Sequence, residues 1–431
     1  MTMYADTLSD AIRKKFRTYA YASTWVGCFS DVMLENSAII ILYLAMLRAS
    51  NTLIMLSTCL VGIISMFLMI PASGIVDRLG SKRVVLLSSA IGCLSYLIMA
   101  SAPFLGKDIA PYIVCLGCLT FGISQPLATA AWYPIVGHVF KPSERADFFG
   151  FLRFSYFVLT GSVFFLLGIF MGEKPQLWFL QLVIGITGII ALGRYFFIAR
   201  IVLPAHESRR FDIKKALGIS TRNGLLAGFA VYVCFLSLAF AAIQPLTLIY
   251  LKNGLHYSDN IIQMISSAAI GGSVCGFFFY GRIVRRVGIR NLQLMVHGAY
   301  ILIPLGLFFC GGNNPYLPVL IGILLVAGNI AYACFVCALS QESFALARPV
   351  NITTDNAFTQ TYQMVGTASG RAMASLLLGN GVLAATWKFW NGTFSNYQTI
   401  FLLCSGIALF CLILIICIPS VAPVREYHYN P

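Results

Sequence analysis

Twelve long apolar stretches, separated by short polar segments, limit the fold of this chain more than any other feature. An α-helix needs about 20 predominantly apolar residues to cross the ~30 Å hydrocarbon core of a bilayer. Because the apolar runs do not alternate with polar residues, they do not fit a membrane β-barrel. The stretches lie at 19–45, 52–74, 84–104, 109–139, 146–171, 177–200, 224–251, 260–281, 290–311, 316–343, 356–387 and 397–419.

The composition and the distribution of charge agree with a membrane protein. The chain is 59% hydrophobic and only 10% charged, too few charges to cover the surface of a soluble protein. A net charge of +14 could suggest nucleic acid, but we place 22 of the 29 Lys and Arg, Arg194 among them, on one side of the membrane. The excess of basic residues on the cytoplasmic side of membrane proteins therefore predicts cytoplasmic termini and no nucleic-acid partner.

A charged segment lies between the second and third stretches and recurs in a degraded form later in the chain. The first copy is Gly74-Ile75-Val76-Asp77-Arg78-Leu79-Gly80-Ser81-Lys82-Arg83. The second copy, Gly281-Arg282-Ile283-Val284-Arg285-Arg286-Val287-Gly288-Ile289-Arg290, lies between the eighth and ninth stretches, about 208 positions further on. A repeat at the same topological place predicts a duplicated six-helix unit.

The first copy resembles the loop motif of the major facilitator superfamily, with matches at Gly74, Asp77, Arg78, Gly80, Lys82 and Arg83. The resemblance covers all twelve stretches in topology, although the motif itself spans ten residues. It implies an all-α integral membrane protein of twelve transmembrane helices in two six-helix bundles related by a pseudo-twofold axis. It also implies a charge-based gating lock on the cytoplasmic side. The second copy has no acid equivalent to Asp77, so Arg285 and Arg286 would form a weaker or different lock.

The longest loop divides the chain between the sixth and seventh stretches. We therefore expect an N-terminal bundle at 1–200, a cytoplasmic linker at 201–223 and a C-terminal bundle at 224–431. The cysteines fall almost entirely within apolar stretches and have no nearby histidines, so we expect neither a metal site nor a disulfide framework. No nucleotide-binding loop or hydrolase motif is present, which predicts a protein that is not an enzyme and needs no cofactor.

Two acids in the first stretch are candidates for proton coupling. An ionisable side chain at mid-membrane costs at least ~2.5–3.5 kcal/mol on insertion scales, so such residues are functional candidates. Asp31 and Glu35 are four residues apart and share one helix face. Two carboxylates this close in a low dielectric resist being ionised together, which favours a proton site. Permanent pairing with an arginine and a sodium site are the alternatives.

Two arginines inside apolar stretches are candidates for binding an anionic solute. At ~1.5 Å per residue, Arg371 lies ~22 Å into its helix, close to the ~18 and ~24 Å of Asp31 and Glu35. Arg153 lies only ~10 Å into the fifth stretch, from where its long side chain could reach toward Asp31. With two acids and two arginines the charges sum to zero, so a proton on one acid would free an arginine for a solute anion. Structural roles for both arginines are the alternative.

Polar and aromatic residues within the stretches complete the predicted cavity lining. Polar residues at steps of three or four give the eleventh stretch one polar face. Trp132 and Tyr133 could stack on a flat ligand, although a packing role is equally compatible with the sequence. The solute-binding candidates, besides Arg371 and Arg153, are Gln125, Trp132, Tyr133, Gln244, Asn329, Gln360, Gln363 and Thr367.

These observations predict a secondary active transporter that moves a small polar solute by alternating access, and the two interior arginines would also suit an anionic one. Proton-coupled symport driven by the proton motive force is favoured, because the fifth stretch lacks the proline typical of drug-exporting antiporters. A proton-driven exporter of lipophilic compounds is the alternative, and a non-transporting receptor of the same fold is a further one. We expect a monomer in the bacterial inner membrane, with the lipid bilayer, protons and the solute as its partners.

Overall fold

The computed structural model describes residues 9–140, 142–204, 217–218, 220–312, 314–346, 352–379, 381–389 and 392–417. Within these residues the chain forms fourteen α-helices and one β-hairpin. The helices of the first half are α1 Asp10–Glu35, α2 Ile39–Met46, α3 Asn51–Leu79, α4 Ser81–Ser101, α5 Ala110–Val139, α6 Pro142–Met171 and α7 Leu177–Ala199. Those of the second half are α8 Gly224–Phe240, α9 Ile243–Ile249, α10 Asp259–Val287, α11 Ile289–Phe309, α12 Leu317–Leu346, α13 Ile352–Gly379 and α14 Asn396–Cys417.

The helices have the length and hydropathy of membrane spans. Among the described residues, ten helical segments are long and apolar enough to cross a bilayer, or eleven if the bent pair α1 and α2 is one span. α13 is not among them, because it carries the polar residues that the sequence places on one face of the eleventh stretch. The helical, membrane-spanning architecture predicted from the sequence is therefore confirmed.

The helices on either side of the two charged segments begin and end at positions that differ by 208 residues between the two halves. α3 and α10 each have 29 residues, and the helices that follow them, α4 and α11, each have 21. A single glycine joins each pair, Gly80 with φ 86° and Gly288 with φ 78°. Residues with a side chain rarely adopt a positive φ, so glycine is required at both junctions. The motif glycines thus make the same turn in both halves.

Each half packs mainly within itself. In the first half α4 packs against α5 and α7, and α1 packs against α7. In the second half α10 packs against α12, and α11 packs against α14. Two long helix pairs join the halves, α3 with α13 and α6 with α10, and the short helix α9 adds smaller contacts to α2 and α3. The bundle division at 1–200, 201–223 and 224–431 stays a prediction, because residues 205–216 and 219 lie outside the described residues.

The eleventh predicted stretch, 356–387, extends too far. α13 ends at Gly379, and the chain then forms an antiparallel hairpin of β1 Thr386–Phe389 and β2 Gly392–Ser395. Trp387 donates a hydrogen bond from Nε1 to Thr399 Oγ1 at 2.7 Å and packs beside Phe394. The apolar residues that follow α13 thus belong to this hairpin, where Trp387 and Phe394 pack against each other at the end of the bundle.

We call the end of the bundle that carries Gly74–Arg83 the motif end, and the opposite end, at the α2–α3 turn, the Arg48 end. Hydrogen bonds between the halves close the Arg48 end. Asn51 Nδ2 donates to Tyr397 Oη at 2.6 Å, and Ser375 Oγ donates to the Thr52 carbonyl at 2.7 Å. A Cβ added to Gly379 would meet Thr52 Oγ1 at 2.0 Å, so α3 and α13 are in close contact here.

Candidate functional site

A cavity with an empty volume of about 830 Å³ lies between the halves, at the level of Glu35 and Arg371. Most of its lining comes from the second half. Six of the residues predicted to act in coupling or binding line it: Glu35, Gln244, Asn329, Gln363, Thr367 and Arg371. Aromatic rings form part of the wall, and the rings of Phe240 and Tyr300 stack with centroids 3.8 Å apart. The cavity therefore offers both polar and apolar contacts to a solute.

Two breaks in the helices adjoin this cavity. The axis bends by 48° between α1 and α2, and a second break separates α8 from α9. Backbone groups freed inside a membrane must find partners within the protein. The Asn36 carbonyl accepts hydrogen bonds from Gln244 Nε2 at 2.8 Å and Ser266 Oγ at 2.7 Å. The second half thus completes the backbone bonding of the first break.

Arg371 completes the second break and joins the halves. Its Nε donates to the Ala241 carbonyl, at the break between α8 and α9, at 3.0 Å. Its Nη1 donates to the Thr58 carbonyl of α3, in the other half, at 2.6 Å. The guanidinium therefore lines the cavity and at the same time connects α13 to both α8 and α3.

The two acids of α1 have different partners. Gln125 Nε2, on α5, donates to Glu35 Oε1 at 2.7 Å, and Ser65 Oγ approaches Gln125 Oε1 at 3.3 Å. Gln125 therefore contacts the predicted acid and does not line the cavity. Asp31 lies one turn away, toward the motif end, and its side chain is 28% exposed.

The cation beside Asp31 is Arg194, which the charge pattern groups with the basic residues on the cytoplasmic side. In the structure Arg194 lies inside α7 with its Nη2 3.8 Å from Asp31 Oδ2, so it belongs with the interior arginines. The count of two interior arginines omits it for the same reason. The sequence did contain a signal for this interior position, because Arg194 falls within the sixth apolar stretch.

Arg153 does not take the position beside Asp31. Its Nη1 is 3.7 Å from Cys337 Sγ on α12, and its guanidinium lies 5.7 Å from the centre of the Phe277 ring on α10. It therefore lies between the halves, away from the cavity lining. Its role in solute binding stays a prediction.

Two of the remaining binding candidates, Gln360 and Trp132, do not line the cavity. Gln360 is half-buried on α13, about one turn closer to the motif end than Gln363. Trp132 is half-buried against an apolar cluster to which α1 and α3 to α7 contribute, and the side chain of Tyr133 lies outside the described residues. Neither Gln360 nor Trp132 is among the residues that line the cavity.

The gating motif contacts the end of α7. Lys82 Nζ donates to the carbonyls of Ala199 at 2.8 Å and Ile201 at 2.7 Å. These carbonyls lie at a helix C-terminus, where a cation stabilises unpaired acceptors. In the same region Gly74 and Asp77 are half-buried and Arg78, Arg83, Arg285 and Arg286 are exposed. Their gating role remains a prediction.

Comparisons with known proteins agree with this architecture. The profile of the Major Facilitator Superfamily matches residues 24–370, and the chain belongs to that family. A comparison with curated protein sequences gives no significant match.

Three solved transporter structures resemble the fold. The nucleoside transporter NupG has a TM-score of 0.67 at 15% identity, covering 94% of this chain and 98% of its own. A D-xylose-proton symporter has a TM-score of 0.68 at 14% identity, covering 93% and 97%. A POT family transporter in complex with 5-aminolevulinic acid has a TM-score of 0.71 at 14% identity, covering 94% and 96%. The chain is thus a membrane transporter of this superfamily.

Proposed function

We propose that this protein is a proton-coupled symporter that carries a small polar solute by alternating access. The observation that carries the proposal is the central cavity, which is walled by both halves and holds Glu35 and Arg371 beside neutral polar side chains. The D-xylose-proton symporter of similar fold couples its solute to protons, which supports the same coupling here. The charge distribution of the loops supports cytoplasmic termini, so the motif end would face the cytoplasm.

The structure would then represent a state closed toward the outside. The hydrogen bonds of Asn51 and Ser375 at the Arg48 end would break when the outside opens. In the cycle we propose, the proton binds to the Asp31–Glu35 pair and the solute binds in the cavity while the outside is open. The two halves then rock against each other, and the proton and the solute are released at the motif end.

A polar solute loses hydrogen bonds to water when it enters the cavity, and polar side chains of the cavity can form hydrogen bonds in their place. Gln363 and Thr367, on adjacent turns of α13, present an amide and a hydroxyl group to it. Gln244 and Asn329 bond to each other at 3.3 Å, so one solute group could contact both. A site built to bond polar groups rejects analogues that lack them, because its own groups then stay unpaired.

Substitution of Glu35 by glutamine tests the proposal in proteoliposomes. Glutamine keeps the shape and can still bond to Gln125, but it cannot release a proton at this position. We expect Glu35→Gln to lose pH-gradient-driven accumulation of a radiolabelled solute while solute exchange at equal pH persists. The matched control is Glu173→Gln, at the Arg48 end between α6 and α7. Accumulation by Glu35→Gln at the parent rate would contradict a coupling role for this residue.

A further inference from the structure

The Asp31–Arg194 pair is built around a glycine. A Cβ added to Gly27 would lie 1.7 Å from Arg194 Nη2 and 2.0 Å from both Cζ and Nε. These separations are far below the 3.4 Å at which ordinary contacts begin, so the guanidinium occupies the space where a side chain would be. Only glycine at position 27 permits Arg194 to lie against the backbone of α1.

The guanidinium is held along one face of α1. Its Nε donates to the Ser23 carbonyl at 3.4 Å, it covers Gly27, and Nη2 approaches Asp31 at 3.8 Å. Residues 23, 27 and 31 are spaced by four, so they follow one another along the same face. The arginine thus has a fixed position that does not depend on Asp31 alone.

The groups around Asp31 leave Arg194 as its nearest cation. Glu35 follows one turn away on α1, and Arg194 faces Asp31 from α7. Tyr96 on α4, and Cys28 on α1, also lie within electrostatic range of Asp31. Tyr156 faces it from α6. The thiol and phenol groups are neutral in the physiological range, so the carboxylate of Asp31 is stabilised mainly by Arg194 and opposed mainly by Glu35.

We infer that Arg194 and Gly27 are positioning residues for Asp31, and that they set the affinity of this carboxylate for the coupling proton. This inference rests on the proton coupling proposed above. Because Ser23 and Gly27 hold the guanidinium in place, it remains opposite Asp31 when the carboxylate takes up a proton. The same cation then favours release of that proton later in the cycle.

Substitution of Gly27 by alanine tests the inference without removing a charge. To reach an ordinary contact of about 3.4 Å, the guanidinium must move by roughly 1.5 Å. At an effective dielectric constant of ~20, a displacement of this size directed away from Asp31 weakens the attraction enough to raise the proton affinity of Asp31 about tenfold. The titration midpoint of the carboxyl band should therefore move up by about one pH unit. Gly271→Ala is the matched control, because an added Cβ there has nothing within 4 Å.

The measurement is infrared titration of the purified protein without solute, with Asp31→Asn identifying the band. Arg194→Gln should raise the titration midpoint of Asp31 further. Arg194→Lys should give a midpoint between those of Arg194→Gln and the parent protein. This pair of variants decides the question even if Gly27→Ala does not fold. A midpoint unchanged in Gly27→Ala or in Arg194→Gln would overturn the inference. Shifted titration combined with transport that is independent of pH would instead contradict the proposed coupling.

Discussion

Arg371 should control how firmly the Arg48 end is closed. Its bond to the Thr58 carbonyl at 2.6 Å joins the halves, whereas its bond to Ala241 lies within the second half. A hydrogen bond from a charged group contributes about 1.5–3 kcal/mol. If the Thr58 bond exists only in the closed state, Arg371→Met should shift the conformational equilibrium toward the open state. The expected shift is about 10- to 150-fold, since ~1.4 kcal/mol corresponds to a factor of ten.

Distances between spin labels at the Arg48 end measure this shift. Lys107 and Lys388 are exposed at this end in opposite halves, so labels on their cysteine variants report its opening. In the Arg371→Met background the population with the longer distance should increase. Arg282→Met is the matched control, because it removes an exposed arginine whose guanidinium lies 5.2 Å from the centre of the Phe278 ring. Identical distance distributions in the Arg371→Met and parent proteins would refute this reasoning.

Two further predictions concern hydrogen bonds to charged groups. Gln125→Leu leaves Glu35 without the hydrogen bond that Gln125 donates at 2.7 Å, so the free energy of unfolding in mixed micelles should fall by about 1–3 kcal/mol. A stability equal to that of the parent would show that water replaces the amide. Lys82→Met removes the two bonds to Ala199 and Ile201, and we expect a loss of about 1–2 kcal/mol by the same measurement. A loss equal to that of the control Arg83→Met, at an exposed position of the same helix, would contradict the capping role.

The sequence predicts the helical membrane fold because hydropathy and the repeated charged segment are local signals. The 208-residue offset is visible in the two motif copies and returns as matched helix lengths in the structure. The end of α13 was predicted too late because Val382 and Leu383 continue the apolar run. The sequence Gly379-Asn380-Gly381 contains a turn signal that could have ended the helix correctly.

The sequence could not predict the partners of the interior charges. Asp31 and Arg194 are 163 positions apart, and their approach depends on how α1 packs against α7. The space at Gly27 is a property of the folded chain, since a lone glycine in a helix has many possible reasons. The sequence does not show which groups bond to the carbonyls freed beside Asn36 and Ala241, because their partners meet them only in the assembled protein.

Proton movement that accompanies solute entry tests the central claim most directly. Proteoliposomes that contain the protein and a pH indicator in the lumen would be exposed to a solute identified by its stabilisation of the purified protein against heat. Proton-coupled symport predicts that the lumen becomes more acidic as the solute enters, and that Asp31→Asn with Glu35→Gln abolishes this change. Solute entry without acidification, or with a rise in luminal pH, would contradict the account.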